Sequence, residues 1–558
     1  MGDVGSWTGW VRKRSPGRRT LTTAVILCAA LAALVPSRAI TAAAVEQTPP
    51  ASRLRVIVME APNAGDGPER AVEALGGRVG VPFSVIHGFA AVIPAGALDR
   101  LASAGGVRAV TPDRRLEPLS DDEWWQPAAG SLYDVDRAIR STDAWEDGAT
   151  GRGVDVALLD TGVAPVPGLT AHGKVLNGPD LSFDSQGDNV RYLDAYGHGT
   201  HLAGIIAARE PSLELDHLRP SDKAGVAPDA RIVNVKVGDA SGAVDVSQVL
   251  AAIDWVVQNR NRNGLNIRVL NLSFGTTSTQ DYQIDPLAYA AEVAWQRGIV
   301  VVVAAGNAGD GTAELNDPAS DPYVIAVGAE DTKGTRSAED DTVPPWSSTG
   351  TGTRGPDLVA PGTSIESLRV PGSAIDVQYP AARVGSDLFK GSGTSQAAAV
   401  VSGAAALVLQ KRPQLTPDQV KALLTSTARH LPLATDRSQG AGLIDVRAAL
   451  SAPIPPSVQA WPRSTGTGSL ELARGAGHVT LQDVPLTGEQ DIFGDPWDGP
   501  AWVAASSNGS SWSDGTWMGT PVTGSCWCGL SWSGLSWSGI AWDSDPGSTW
   551  ATAAWGGG

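Results

Sequence analysis

Apolar positions along the chain fall into three regimes. From about residue 52 to 118, alternating runs and helical spacings succeed one another. They predict a strand over Arg53–Met59, a helix over Gly67–Leu75, and two alternating strands over Val81–His87 and Phe89–Ile93. A helix over Ala95–Ala104 and a strand over Val107–Thr111 follow. That β-α-β-β-α-β order is the ferredoxin-like arrangement. From about 133 to 450 the runs Val154–Leu159, Ile232–Val237, Val269–Leu272, Ile299–Ala304 and Val324–Val327 carry few charges, as strands buried on both faces do. Between them, Val246–Asn259 and Leu287–Arg297 have helical spacing, and Thr416-Pro417 marks a last helix start. The series predicts an α/β domain, a mainly parallel doubly wound sheet with helices on both faces.

The third regime is a repeat. Ten of the 19 tryptophans lie in the last 62 residues. Trp497, Trp502, Trp512, Trp517, Trp527, Trp532, Trp537 and Trp542 share a five-residue lattice, with Ser507 and Val522 at the skipped points. Such a repeat predicts stacked units with a shared core, as in a pentapeptide solenoid. Alternatively the rings face outward, to stack on sugars of a cell wall or glycan or to drive assembly.

At the other end, a basic segment precedes the fifteen-residue apolar run Leu21–Val35 and small residues ending at Ala42-Ala43-Ala44. The run is short for a membrane span and its flanks are those of a cleavable secretory signal. Arg18-Arg19 leaves the twin-arginine route open beside the general one. The expected divisions are a signal at 1–44, the front domain at 45–120, a linker at 121–132, the α/β domain at 133–450, a linker at 451–490 and the tail at 491–558.

Charge supports export. The chain carries −17 overall, residues 1–44 carry +5, and the remainder therefore −22. An acidic body of this kind argues against nucleic acid as a partner. With the signal removed, no stretch reaches 18 apolar residues, so the expectation is an extracellular protein off the membrane. Three cysteines, none between Cys28 and Cys526, leave the central domain to its apolar core.

Chemistry concentrates in that domain. Asp160 ends a buried run in VDVALLDTGV, His198 opens a helix in YGHGTHLAGIIAA, and Ser395 opens another in GSGTSQAAAVVSG. Strand ends and the starts of following helices gather along one edge of a parallel sheet. There a hydroxyl can attack, an imidazole can take its proton, and a carboxylate can fix the imidazole's tautomer. Asn307, after IVVVVAAGN, can donate to a developing oxyanion together with the Ser395 N–H. Simpler readings fail. A lone DTG lacks the second carboxylate of an aspartic protease. His198 and His201 lack the Glu of HExxH and any nearby Cys, so no metal is expected. A G-x-S-x-G elbow, with Asp445 and His478 downstream, needs a strand before the serine, and FKGSG does not read as one.

Taken together, residues 133–450 resemble the subtilisin-like serine proteases, the subtilases (peptidase family S8). The resemblance rests on DTGV at Asp160, HGTHLAG at His198, NLSFG at Asn271–Gly275, AAGN at Ala304–Asn307, VAPG at Val359–Gly362, SGTSQAA at Ser392–Ala398 and GAGLIDVRAA near the domain end. The order Asp, His, Ser, spaced by 38 and 197 residues, agrees with it. It implies a serine endopeptidase in which Ser395 is the nucleophile, His198 the general base and acid, Asp160 its orienter and Asn307 an oxyanion donor. Ser273, Phe274 and Gly275, with Ala304, Ala305 and Gly306, would line the cleft and pair with the backbone of a protein or peptide substrate. Gly88–Asp113 resembles the family's propeptide, an intramolecular chaperone and inhibitor, which implies a self-processing zymogen. The rival reading is an inactive subtilase scaffold that binds cell wall or glycan through its tail.

Two departures stand out. Gln396 and Ala399 occupy positions where the family has Met and Pro. The segment between Ile206 and Gly225 lacks the Asn-rich calcium loop of some relatives. No cofactor is required by the motifs, and structural calcium, a family habit, has no ligand set in the sequence.

Overall fold

The computed structural model describes residues 53–62, 64–83, 87–112, 130–187, 190–219, 221–309, 315–350, 354–456, 458–481, 484–521 and 532–533. The segment expected as a signal, most of the linker expected at 121–132, all three cysteines and most tryptophans beyond Trp517 lie outside them. Two compact units divide the chain, between Leu119 and Ser120.

In the front unit, β1 (Arg53–Glu60), α1 (Gly67–Ala74), β2 (Arg78–Phe83), β3 (Gly88–Pro94), α2 (Leu98–Ala102) and β4 (Val107–Pro112) succeed one another. The sheet order is β2-β3-β1-β4, with antiparallel pairings throughout. This is the ferredoxin-like arrangement. Val56 and Val58 of β1 and Phe89, Ala91 and Ile93 of β3 alternate onto one face and bury Val72 and Leu101 from the helices. The second helix is shorter than predicted, because Ala95–Ala97 form a 3₁₀ turn before it.

The second unit opens with α3 (Leu132–Ala138) and α4 (Ser141–Glu146) and continues through β5 (Asp155–Asp160), β6 (Val175–Asp180), α5 (His198–Ala207), β7 (Arg231–Lys236) and α6 (Val246–Asn259). Next come β8 (Ile267–Leu272), α7 (Pro286–Gln296), β9 (Val300–Ala304), β10 (Ile325–Glu330) and β11 (Leu358–Pro361). The seven strands lie in the order β11-β10-β9-β8-β5-β7-β6, and every pairing is parallel. β5, β9 and β10 are buried at every residue, which is why they read as unbroken apolar runs. A small antiparallel sheet of β12 (Ile365–Leu368), β13 (Arg383–Val384) and β14 (Leu388–Gly391) flanks α8 (Ala374–Gln378). The long α9 (Thr394–Lys411) packs on α5 and across β8, β9 and β10. Then α10 (Pro417–Ser426) begins with a full capping box at Thr416, followed by α11 (Asp436–Gln439) and α12 (Val446–Ser451).

β14 corrects one expectation, since a strand does precede Ser395. It is a short antiparallel strand outside the main sheet, and the other elbow partners are engaged elsewhere. Asp445 caps α12 and pairs with Arg140, and His478 meets Glu471.

The stretch 451–490, expected as a linker, is packed against the body. Its helix α13 (Leu470–Arg474) carries Arg474, whose Nε donates to Asp245 Oδ2 at 2.7 Å with neither side chain more than 1% exposed. Asp245 also caps α6 through Ser247 N. After β15 (Thr480–Leu481) and β16 (Val484–Pro485), α14 (Gly499–Asn508) lies on α7. Asp254 of α6, fully enclosed, accepts from the indoles of Trp502 (3.0 Å) and Trp517 (2.9 Å) and from Ser506 (2.5 Å). Burial raises its pKa against the lowering effect of these donors. The repeat then runs as two tight hairpins, β17 (Trp512–Ser513), β18 (Thr516–Trp517) and β19 (Thr520–Pro521). Asp514-Gly515 and Met518-Gly519 turn with positive φ, as the right-handed strand twist demands. Among the described residues the repeat is therefore a helix carrying Trp502 followed by an antiparallel meander over Trp512–Pro521, with Trp502 and Trp517 buried, and not a parallel solenoid. β20 (Trp532–Ser533) adds to β15.

Arg474→Met tests whether 451–490 belongs to the folded body. Leaving Asp245 buried without its cation is expected to cost about 3–5 kcal/mol in denaturant unfolding. A linker position would change stability by less than about 0.5 kcal/mol.

Candidate active site

The carboxyl edge of the parallel sheet brings the sequence-predicted residues together. Asp160 is the last residue of β5, Ser273–Gly275 follow β8, and Ala304–Asn307 end and follow β9, three adjacent strands. The helices that meet this edge begin at His198 and one residue before Ser395.

His198 Nδ1 lies 2.7 Å from Asp160 Oδ1, with His198 0% and Asp160 1% exposed. The carboxylate oxygen also accepts from Thr161 N at 2.8 Å, which fixes the direction of the acid. With Nδ1–H donated to Asp160, the neutral ring keeps its lone pair on Nε2, the nitrogen a general base uses. Glycine makes the approach of α5 to β5 close enough. A Cβ on Gly199 would stand 2.2 Å from the Gly162 carbonyl oxygen.

Asp194 was invisible to motif reasoning and holds this corner. It is buried and accepts from Thr161 Oγ1 (2.8 Å), Gly197 N (2.6 Å) and Thr200 N (2.7 Å). One carboxylate thus ties the end of the Asp160 strand to the first turn of the His198 helix, in the manner of a helix cap. Burial raises its pKa, opposed by those same hydrogen bonds. The only sequence signal was an acidic residue shortly before a helix start.

His201, three residues along, belongs to a different task. Its Nε2 is 3.0 Å from the Phe389 carbonyl and 3.2 Å from that of Ile365, so it donates to them. Burial first, and His198 second, lower its pKa to about 3 and keep it neutral. The two histidines do not converge on a metal. Among the described residues no cluster of three or more His, Cys, Asp or Glu is arranged to hold one. In the 206–225 segment Glu210 and Asp222 are paired with Lys223 and Arg219, and Glu214 and Asp216 stand exposed on the surface. That donor set does not fit calcium.

Ser395 is 2% exposed, and its hydroxyl donates to the Ser273 carbonyl at 3.2 Å while Ser273 Oγ donates back to the Ser395 carbonyl at 3.0 Å. The pair pins the start of α9 to the end of β8. Asn307 turns its Oδ1 to Thr394, accepting from the backbone N at 2.9 Å and Oγ1 at 3.0 Å. Its Nδ2 is thereby aimed the other way. A Cβ on Gly393 would stand 2.8 Å from Gln396 Oε1, 3.6 Å from that Nδ2 and 3.7 Å from Ser395 N, so two N–H donors and the Gln396 amide oxygen meet in front of this glycine. The Ser395 N–H lies in the first helical turn, where no i−4 carbonyl claims it.

The segments expected to line the cleft contribute mainly backbone. Phe274 (3% exposed) and Ala305 (0%) turn their side chains into the core. Asn316, which sequence reasoning missed, stands between them. A Cβ on Gly275 would meet Asn316 Cβ at 2.7 Å, and one on Gly306 would meet its Oδ1 at 2.6 Å.

A model of the subtilase family matches residues 151–442. The chain is 36% identical over 341 residues to "Serine protease AprX" of Bacillus subtilis, covering 60% of this chain and 72% of that protein. It is 34% identical to "Subtilisin Savinase" of Lederbergia lenta, covering 56% of this chain and 96% of that one. To "Subtilisin E" of Bacillus subtilis it is 33% identical, covering 67% and 83%.

Gln396 follows Ser395 directly and is fully buried, with neither amide atom in a hydrogen bond. An amide cannot form the sulfoxide that a methionine there would form. The chain's three methionines are Met1, Met59 and Met518. Peptidase activity is therefore expected to persist in dilute peroxide and to decay in Gln396→Met. Equal decay of both forms would place the sensitive group elsewhere.

Proposed function

The chain belongs to the subtilase family of serine proteases, and from that premise we propose that it is a secreted endopeptidase, made as a self-processing zymogen, that hydrolyses peptide bonds through an acyl-enzyme on Ser395. The observation that carries the reading is the buried 2.7 Å contact of His198 Nδ1 with Asp160. In the first step the Ser395 hydroxyl leaves the Ser273 carbonyl and gives its proton to His198 Nε2 as its oxygen attacks the substrate carbonyl. Asp160 stabilises the imidazolium so formed. The oxyanion enters the space in front of Gly393, where Asn307 Nδ2 and Ser395 N–H donate to it once the Gln396 amide oxygen turns aside. His198 returns the proton to the leaving amine, and water then hydrolyses the acyl-enzyme by the same relay. Substrate backbone pairs with Ser273–Gly275 and Ala304–Gly306 as an added strand. Asn316 limits what side chain fits between those segments. No step needs a metal or cofactor.

The acidic body and the leading signal support secretion, and no described helix is long and apolar enough to cross a membrane. An inactive scaffold would be expected to have lost one of Asp160, His198, Asn307 or Ser395, and all four stand in this sequence.

Ser395→Ala should abolish hydrolysis of a casein substrate and leave an unprocessed chain of unchanged fold. Asn307→Ala should lower kcat by about 10² to 10³, the usual scale for losing one oxyanion donor in proteases of this family, with little change in KM. Full activity of the first variant would refute the assignment. An effect of the second on KM alone would give Asn307 another role.

The front unit tests the zymogen. Residues 45–120 added in trans should inhibit the mature enzyme, and expression without them should yield little activity. Normal folding of the bare catalytic region with no inhibition by the fragment would overturn this part.

A further inference from the structure

A cavity of about 490 Å³ lies between edge strand β6, helix α6 and the tail hairpin, and shares no residue with the cleft described above. Two indoles form part of its wall. The Trp512 ring is fixed by its Nε1, which donates to the Ala251 carbonyl at 2.7 Å. The adjoining Ser511 is held by Gln258, whose side-chain amide hydrogen-bonds its Oγ at 2.7 Å. The Trp255 ring lies against β6 at Gly178, where a Cβ would stand 3.0 Å from a ring carbon. Both rings are held before any ligand arrives, which lowers the ordering cost of binding.

The polar groups around them are mixed. Asn177 accepts from Asn234 with its Oδ1, which leaves its NH₂ to donate elsewhere. Asn259 spends an N–H on the Trp255 carbonyl, which leaves its Oδ1 to accept. Arg262 and Asp514 are exposed at the rim. The charges lining the cavity, Arg191 and Arg262 against Asp180 and Asp514, cancel.

An anionic ligand would find no net positive charge here and an acidic protein around it. An apolar ligand would strand the amides. The chemistry that fits is a ring with C–H faces to lie on indoles and hydroxyls at its edge that both donate and accept. We propose that this cavity binds a neutral, hydroxyl-rich oligosaccharide and so holds the enzyme on a polysaccharide surface. The tail supplies one of the two rings, so the site exists only when α14 and the hairpin are docked. A plain glucan and an N-acetylated amino-sugar chain share this chemistry.

The test is affinity electrophoresis of the full chain in native gels containing hydroxyethyl cellulose, glycol chitin or dextran sulfate. Retardation is expected in at least one of the first two gels, and which one identifies the sugar. The rim variant Arg262→Ala/Asp514→Gly, whose glycine keeps the positive φ of the turn, should bind about fivefold more weakly, the scale of one or two lost hydrogen bonds. Trp512→Ala should lose retardation, and the rim variant keeps the test valid should that change loosen the hairpin. Cleavage of a small chromogenic peptide should be unchanged in the rim variant. No retardation in either neutral gel, retardation by dextran sulfate alone, or wild-type retardation of the rim variant would overturn the proposal.

Discussion

His198 and Asp160 meet at 2.7 Å where neither side chain reaches solvent, and the rest of the structure is arranged to make that contact tolerable. An acid and an imidazole with no water around them keep their places only if the backbone holding each is rigid. The acid ends β5, a strand buried at every residue between two parallel neighbours. The imidazole opens α5, whose first turn is tied to that strand end by Asp194 and brought close by Gly199. Low local polarity strengthens the attraction between the carboxylate and a newly charged ring, which in the proposed mechanism is the moment at which the attraction counts.

The same economy of position recurs at Ser395, the proposed nucleophile. Reciprocal hydrogen bonds between Ser273 and Ser395 lock the end of one strand to the start of a long helix, and Thr394 sets the direction of the Asn307 amide. Gln396 is the exception. A buried amide without hydrogen bonds beside Ser395 costs stability, and nothing else in the structure explains why this chain accepts it.

Much of this was legible because it is local. An uncharged apolar run marks a strand buried on both faces, and a parallel sheet then forces Asp160, Ser273, Asn307 and the two helix starts to one edge. Side chains whose importance depends on a distant partner were not legible. Asp194 looks like any acid before a helix, Asn316 like any loop amide, and Arg474 like a surface charge in a polar stretch. The tryptophan lattice revealed a repeat but not its partner. Trp502 and Trp517 converge on Asp254 from 248 and 263 residues away, a meeting that spacing within the tail could not disclose.

The central claim is that Ser395 is the one hydroxyl made nucleophilic by His198. It is tested most directly by peptide mass mapping after exposure of the mature protein to a sulfonyl fluoride. The account predicts a single sulfonyl adduct on the peptide that contains Ser395, formed in step with loss of activity and absent when His198 is replaced by alanine. Inactivation with Ser395 unmodified, or an adduct that forms at the same rate without His198, would contradict it.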